Sequence, residues 1–124
     1  MQQKRAKYAL EQVKDAIDTK SVDQKEFKAY ASTFPAMIHM NGLGQAAAFF
    51  KSKGETHEVV YSILSKWLCG KVDYAKNQPY SGCANLLEGI TSQDMHQYRL
   101  AQAEAQALMD WVKKFASAFM KGED

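Results

Sequence analysis

The chain has 124 residues, of which 46% are hydrophobic and 24% are charged, and its formal net charge is +2. This composition is typical of a globular protein, so we expect one domain over residues 1–124. So small a net charge excludes a strong global attraction to nucleic acid, and any contact with phosphates would depend on local clusters of basic residues. Without a long apolar run or the apolar core of a signal peptide, we expect a cytoplasmic protein that does not contact membranes.

The first helix is predicted from the periodicity of its apolar residues. These recur at i, i+3, i+4 and i+7 from Gln2 to about Lys20, and charged residues occupy the opposite side. The opening turns are locally basic, because Lys4, Arg5 and Lys7 precede the first acidic residue. These turns are therefore one candidate for contact with phosphates.

A second helix is predicted after a capping-box pattern, with Ser21 as the N-cap and Gln24 three residues later. Its buried side would include Phe27 and Ala31, which are spaced by one helical turn. Pro35 can either begin a further helix at its first position or kink one continuous helix. The sequence leaves both possibilities open.

The stretch over residues 34–53, FPAMIHMNGLGQAAAFFKSK, has no Asp, Glu, Lys or Arg before position 51. A helix that is apolar or small on every side is normally buried, so we predict that this stretch is the central helix of the fold. Glycine is unfavourable inside a helix, and we interpret Gly42 and Gly44 as positions where neighbouring helices pack closely. The alternative is a subunit contact at Asn41 and Gln45, which would lie one helical turn apart.

The segment over residues 42–47, GLGQAA, fits the G-x-G-x-x-A fingerprint of dinucleotide-binding proteins. That fingerprint functions after a strand, and an acidic residue about 20 positions later holds the ribose. No strand pattern precedes the segment, and residues 59–72 contain no Asp or Glu. We therefore expect no dinucleotide cofactor.

Gly54 is predicted to end the central helix. Thr56 is predicted to cap the next helix, which has a strong apolar side and closes at Gly70. Residues 70–82, GKVDYAKNQPYSG, have no sustained period and contain three helix breakers. We predict that they form one long loop and the most mobile region of the protein.

A short helix over residues 84–88 and a long helix over about 93–120 complete the predicted elements, with Thr91 or Ser92 as the cap of the last helix. No segment requires a strand. The predicted fold class is therefore all-α, a single compact bundle of five to six helices around a Gly/Ala-rich central helix.

The residues that most often carry chemistry form no catalytic or metal-binding pattern. His39, His57 and His96 are widely spaced, and we expect His39 in the core or an interface and the other two in solvent. Cys69 and Cys83 are predicted to be reduced thiols, and a nucleophilic cysteine would need a histidine that only the fold could supply. We therefore expect no enzymatic activity, no cofactor and no metal site.

Basic residues recur with helical spacing near the end of the chain. Arg99, Gln106 and Lys113 are spaced by sevens and lie near one line of the last helix, while Lys114 and Lys121 follow an adjacent line. This arrangement is either a solvated face or a strip that contacts phosphates. Two further lysines that could extend such a strip end the central helix, at Lys51 and Lys53.

Two blocks of the sequence resemble the small helical subunit of the type III-B CRISPR RNA-guided effector, the Cmr complex. The first block covers residues 30–53, YASTFPAMIHMNGLGQAAAFFKSK, and contains the specific I-H-M-N-G-L-G-Q run. The second block contains Tyr98-Arg99, then Glu104, then the run WVKKFA that begins at Trp111. The N-terminal helix with Arg5 fits more loosely, and together these parts cover most of the chain.

The second block departs from the family pattern at two positions. Trp-Leu-Lys-Arg is expected there, whereas this chain has Val112 and Lys114. Lysine keeps the positive charge but lacks the planar guanidinium that can bind a phosphate through two hydrogen bonds. Residues 71–82 match nothing in the family pattern, so the resemblance implies no role for them.

The resemblance implies a non-catalytic subunit in antiviral defence, present in several copies that stack beside the filament of backbone proteins. Its partners would be the backbone and large subunits, neighbouring copies of itself, the guide RNA and the target RNA. Base pairing would provide sequence specificity, and protein contacts would be to the RNA backbone. Cleavage and signalling would belong to other subunits.

The resemblance and the charge pattern together predict RNA contacts at Lys113, Lys114 and Lys121. Weaker candidates for RNA binding are Lys51, Lys53, Arg5 and Arg99. The alternative function is a free-standing helical protein–protein adaptor with no RNA role, in which the lysines only solvate the surface.

Overall fold

The computed structural model describes residues 2–122, and within that range the chain contains helices, turns and loops but no strand. The six helices are α1 Gln2–Asp18, α2 Gln24–Asn41, α3 Leu43–Lys53, α4 Glu55–Leu68, α5 Leu86–Ser92 and α6 Met95–Phe119. The predictions of an all-α fold and of five to six helices are therefore confirmed.

The second helix begins later than the capping-box pattern predicted. The backbone N–H of Val22 donates to the carbonyl oxygen of Thr19, which closes a turn that includes Ser21. The carboxylate of Asp23 then accepts the N–H of Glu26 and caps α2. The prediction of Ser21 as the N-cap is wrong, because Ser21 lies inside this tight turn between the helices and Asp23 caps α2 instead.

Pro35 lies inside α2, which runs through it as one continuous helix. The carbonyl oxygen of Pro35 accepts a hydrogen bond of 3.1 Å from the side-chain amide of Gln106 on α6. Just after the C-terminal end of α6, the backbone N–H of Lys121 donates to the side chain of Gln24 at the start of α2. These two contacts show that α2 and α6 pack side by side in opposite directions.

The predicted central helix over residues 34–53 is two helices, because the chain reverses at Gly42, where φ is +88°. A Cβ atom at this position would lie 3.1 Å from the hydroxyl oxygen of Tyr98. The first backbone N–H groups of α3 donate to side chains of α6, from Leu43 to Gln102 at 2.9 Å and from Gly44 to Tyr98 at 3.0 Å. The two glycines therefore allow the turn between α2 and α3 and its close contact with α6. Gly42 itself is not inside a helix.

The stretch is also not buried on every side, as the sequence had suggested. Phe34, Ile38, Leu43 and Phe50 are fully buried, and the rings of Phe34 and Phe50 stack with centroids 4.2 Å apart. Many of the uncharged residues between them are nevertheless exposed to solvent, and Met40 keeps 79% of its surface accessible. The absence of charge was therefore a poor guide to burial here.

The boundary between α3 and α4 is at Gly54, as predicted, but Gly54 is also the N-terminal cap residue of α4. Thr56 lies in the first turn of α4 and is only 5% exposed. The prediction that Thr56 caps this helix is wrong, because the helix begins one residue before it.

The last two helices also use caps other than those predicted. Asn85 accepts the N–H of Glu88 and caps α5, so the short helix lies slightly later than predicted. Asp94 caps α6. Thr91 and Ser92 lie within α5 and donate to its carbonyl oxygens, so neither is the predicted cap.

The loop between α4 and α5 packs against the bundle. Tyr80 is 1% exposed, and its backbone N–H donates to the carbonyl oxygen of Leu68 at the end of α4. Gly70 has a φ of +68°, and a Cβ atom there would lie 2.4 Å from the carbonyl oxygen of Lys76. The sequence correctly predicts a long irregular segment, but this anchoring argues against its being the most mobile region.

Candidate nucleic-acid interface

The three leading lysines lie on or directly after the C-terminal half of α6. Lys113, Lys114 and Lys121 are all exposed, and their ammonium groups have no carboxylate partner within residues 2–122. The contact between Gln106 and Pro35 places the line of Arg99, Gln106 and Lys113 on the side of α6 next to α2. The structure therefore places Lys113 and Lys114 on the exposed surface of α6, and Lys121 just after its end in a pocket that Asp23 and Lys25 also line.

Lys114 contacts an aromatic ring. Its ammonium nitrogen lies 5.9 Å from the centroid of the Trp111 ring. Lys114 also follows the acidic residue Asp110 by one helical turn. The indole N–H of Trp111 donates to the side chain of Gln2, which connects the C-terminal half of α6 to the start of α1.

Arg5 occupies a different environment from the lysines. Its Nε and Nη2 atoms donate to the two carboxylate oxygens of Glu104, at 2.6 and 2.8 Å, and the indole N–H of Trp67 donates to the same carboxylate at 2.8 Å. The Arg5 and Glu104 side chains are only 16% and 12% exposed. Arg5 therefore links α1 to α6, and its planar guanidinium is already used by a carboxylate.

The ion pair changes the titration of both residues. The hydrogen bond to Glu104 raises the pKa of Arg5. Burial disfavours ionisation of Glu104, but the hydrogen bonds from Arg5 and Trp67 outweigh this effect and lower the pKa of the carboxyl group. Sequence reasoning missed this network because its residues are far apart in the chain.

Lys51 and Lys53 belong to another part of the surface, at the end of α3 beside α4. The ammonium group of Lys51 lies 2.6 Å from a carboxylate oxygen of Glu58, and this hydrogen bond raises its pKa. The ammonium group of Lys53 lies 4.8 Å from the centroid of Phe49. The structure therefore does not join these two lysines to the group on α6.

Asn41 and Gln45 are both exposed, but they lie on opposite sides of the turn at Gly42 and not on successive turns of one helix. They belong to a larger surface without charges, because the sequence from 29 to 50 contains no Asp, Glu, Lys or Arg. We call its exposed part the α2–α3 face. Its residues are Ala29, Thr33, Ala36, His39, Met40, Asn41, Gln45, Ala48 and Phe49.

One histidine prediction needs correction. His39 is exposed on the α2–α3 face, which excludes the core and leaves its predicted place in an interface as a prediction. His57 is not a solvated side chain, because its ring stacks on Tyr30 with centroids 3.8 Å apart and also contacts Phe50. His96 is exposed, as predicted.

The remaining residues that could carry chemistry are the two cysteines and the potential metal ligands. Cys69 and Cys83 are both buried and are not joined by a disulfide, and burial raises the pKa of the Cys69 thiol, which disfavours the nucleophilic thiolate. In the described part of the chain, no three His, Cys, Asp or Glu side chains are grouped as metal ligands. None of the helices there is both long and apolar enough to span a bilayer.

Comparison with known proteins gives concordant matches. The family model for the CRISPR-associated protein Cas_Cmr5 matches residues 1–119. A relative from Thermus thermophilus, the CRISPR system Cmr subunit Cmr5, is 28% identical over 117 residues, which are 94% of this chain and 92% of that protein. The crystal structure of a CRISPR-associated Cmr5 family protein from the same organism is similar in fold, with a TM-score of 0.76, 24% identity and 98% of each chain covered.

Proposed function

Because the chain belongs to the Cmr5 family of CRISPR-associated proteins, we propose that it is the small, non-catalytic subunit of a type III-B CRISPR effector, the Cmr complex. Several copies stack along the filament of this complex. Each copy contacts guide or target RNA through basic residues of α6 and contacts neighbouring proteins through the α2–α3 face. The protein thereby contributes to antiviral defence in the cytoplasm.

One observation carries this proposal, namely the separation of two kinds of exposed surface. The C-terminal half of α6 has lysines without carboxylate partners, whereas the α2–α3 face has no charged residue. Binding of nucleic acid depends on cations that replace the counterions of phosphates. Protein interfaces are instead depleted of charged residues at their centres. A subunit that meets RNA on one side and protein on another needs both surfaces.

The contacts within the subunit rank its candidate RNA-binding residues. Lys113, Lys114 and Lys121 lead, because each ammonium group is exposed and has no carboxylate partner within residues 2–122. Exposed Arg99 is compatible with the same surface. Arg5 is a poorer candidate, because a phosphate would have to displace the carboxylate of Glu104.

The two lysines at the end of α3 rank lower than those on α6. Lys51 is already paired with Glu58, and Lys53 lies over the ring of Phe49. Contacts by a few lysines per copy are sufficient in a filament, because each neutralised phosphate adds to the affinity and the copies repeat the contact.

Asn41 and Gln45 fit the protein-contacting side of the proposal. Both lie at the turn between α2 and α3, beside exposed Met40, and their amide side chains can donate and accept hydrogen bonds across an interface. The raised pKa of buried Cys69 supports a non-catalytic role, because burial disfavours the thiolate that would act as a nucleophile.

The proposal is tested by assembling the effector with its other subunits and guide RNA, using either this chain or the variant Lys113→Glu/Lys114→Glu. Target-RNA affinity is measured at two salt concentrations. We expect the variant to bind more weakly and to flatten the salt dependence, since log K changes by a slope of about 0.7 per phosphate contacted by a cation. Thermal melting should be unchanged, because both side chains are exposed.

A matched control is Lys66→Glu/Lys76→Glu, which changes the net charge equally at two exposed lysines outside α6. We expect this control to keep the affinity and the salt slope. Equal effects of both double variants would show a general charge effect and remove the assignment to α6. If the effector binds RNA equally well without the chain, the adaptor function is favoured instead.

A further inference from the structure

Three aromatic side chains follow one another along the C-terminal half of α6. The ring centroids of Trp111 and Phe115 are 5.6 Å apart with an interplanar angle of 28°, and those of Phe115 and Phe119 are 6.3 Å apart at 34°. The residues are spaced by one helical turn, so their rings line one side of the helix. We call this series the aromatic ladder.

The aromatic ladder is not part of the closed core. Phe119 keeps 53% of its surface exposed, and Trp111 and Phe115 are half-buried, whereas the other tryptophan, Trp67, is fully buried. The two residues that precede Phe119 in the sequence, Ser117 and Ala118, are small and exposed. An exposed phenylalanine with small neighbours leaves part of its ring free for a ligand.

The chain segment that carries the aromatic ladder is basic. Residues 111–122, WVKKFASAFMKG, contain three lysines and no carboxylate side chain, and the ammonium group of Lys114 lies over Trp111. Lys121 follows Phe119 by two residues and is exposed. Glu123 and Asp124 come next in the sequence and lie outside the described residues.

This combination selects among possible ligands. An apolar protein surface would cover the rings but would leave the lysines without partners. A single-stranded nucleic acid presents flat bases and phosphates together, and proteins bind it by combining aromatic stacking with basic side chains. Bases within a duplex are already stacked on their neighbours, so an exposed aromatic ring is complementary to an unpaired nucleotide.

We infer that the aromatic ladder is a base-stacking site for an unpaired RNA nucleotide, with Phe119 providing the open ring face and Lys114 and Lys121 contacting the flanking phosphates. The inference rests on the proposed function, because it requires that the subunit binds RNA within the effector complex. It adds that this subunit binds a single-stranded segment next to the guide–target duplex, and not only the duplex backbone.

The test uses two substitutions at Phe119 in the full chain, assembled into the effector complex. Phe119→Leu keeps the apolar character and removes the aromatic ring, whereas Phe119→Tyr keeps the ring. The measurement is affinity for target RNA that carries an unpaired extension, at two salt concentrations. We expect Phe119→Leu to weaken binding by about fivefold or more, as for loss of one stacked base, and Phe119→Tyr to bind like the original chain.

The salt dependence separates stacking from phosphate binding. Phe119→Leu should keep the salt slope, because no cation is lost, whereas Lys113→Glu/Lys114→Glu should flatten it. Met95→Ala is the control, since Met95 is also a large apolar side chain exposed on α6, but it lies at the N-terminal end of that helix and outside the α2–α3 face. We expect this control to bind RNA with unchanged affinity.

Wild-type affinity of Phe119→Leu would overturn the stacking site, and the proposed function would stand if the lysine variant still flattened the salt slope. An equal loss for Phe119→Leu and Met95→Ala would also overturn the assignment to the C-terminal half of α6. If Phe119→Leu is not incorporated into the complex although it melts normally, the ring is a protein contact and the inference is wrong. If neither the lysine nor the Phe119 variant changes binding, both proposals fail.

Discussion

At the scale of single residues, Glu104 makes the most consequential contact in the described structure. Its carboxylate accepts hydrogen bonds from Arg5 on α1 and Trp67 on α4, while Glu104 itself lies on α6. Three helices that are distant in the sequence therefore meet at one charged group. A carboxylate with little exposure is stable there only because these donors replace its water.

The first prediction concerns the stability that this group contributes. Glu104→Gln keeps the size of the side chain but removes the charge, and we expect a loss of about 2 kcal/mol in the free energy of unfolding at pH 7. The loss is measured by urea denaturation of the original chain and of the Glu104→Gln variant. A loss below about 0.5 kcal/mol would show that the ion pair only offsets its own desolvation.

The lowered pKa of Glu104 predicts how this difference depends on pH. Its contribution to stability is complete above the carboxyl pKa of the unfolded chain, about 4.3, and is lost as the pH falls through the lower pKa of the folded state. The stability advantage of the original chain over Glu104→Gln should therefore shrink in acid. The advantage should be constant between pH 6 and pH 8, which gives an internal control.

At the scale of helices and turns, the reversal at Gly42 sets the shape of the most characteristic sequence block. Gly42 combines a φ of +88° with a nearby Tyr98 hydroxyl, which a Cβ atom would approach to 3.1 Å. Gly82 has a similar φ of +94°, but a Cβ atom there would meet nothing within 4 Å. The two glycines thus form a pair that differs in packing and has similar φ angles.

The second prediction uses this pair. Gly82→Ala should cost about 1–2 kcal/mol of unfolding free energy, the usual penalty for a left-handed alanine. Gly42→Ala should cost more, because it adds the contact with Tyr98 and disturbs the hydrogen bonds at the start of α3. Thermal or urea unfolding gives the comparison. Equal losses would mean that Tyr98 moves aside freely and that only the backbone conformation requires glycine.

The helices that the sequence predicted best are those with one apolar side. α1, α4 and α6 were recognised because their periodic apolar residues bury against neighbours over most of the helix length. The stretch over residues 34–53 was interpreted wrongly, because an uncharged residue can lie in an interface-like surface as well as in a core. The caps were shifted because turn hydrogen bonds, such as that from Val22 to Thr19, decide where a helix begins.

At the scale of the whole molecule, the candidate surfaces were predictable to different degrees. Lys113, Lys114 and Lys121 are close in sequence and lie on or directly after one helix, so their spacing alone indicated a common surface. The ion pair between Arg5 and Glu104 could not be predicted from the sequence, because it joins two positions that are 99 residues apart. The α2–α3 face was hidden for another reason, because its existence depends on which uncharged residues remain exposed after folding.

The third prediction tests whether the α2–α3 face contacts protein. Ala36→Glu/Met40→Glu places two negative charges on residues that are exposed in the isolated subunit. Melting temperature should therefore change little. Incorporation into the effector complex should fall at least about tenfold, because an interface would have to bury charges without partners.

The control is Ala103→Glu, which introduces a charge at an exposed alanine of α6 outside this face. Normal assembly of the control and failure of the double variant would locate a protein contact on the α2–α3 face. Normal assembly of both would leave this surface facing solvent, and the absence of charge over residues 29–50 would then need a cause other than a subunit interface. The double variant keeps the lysines of α6, so it changes none of the residues proposed to contact RNA.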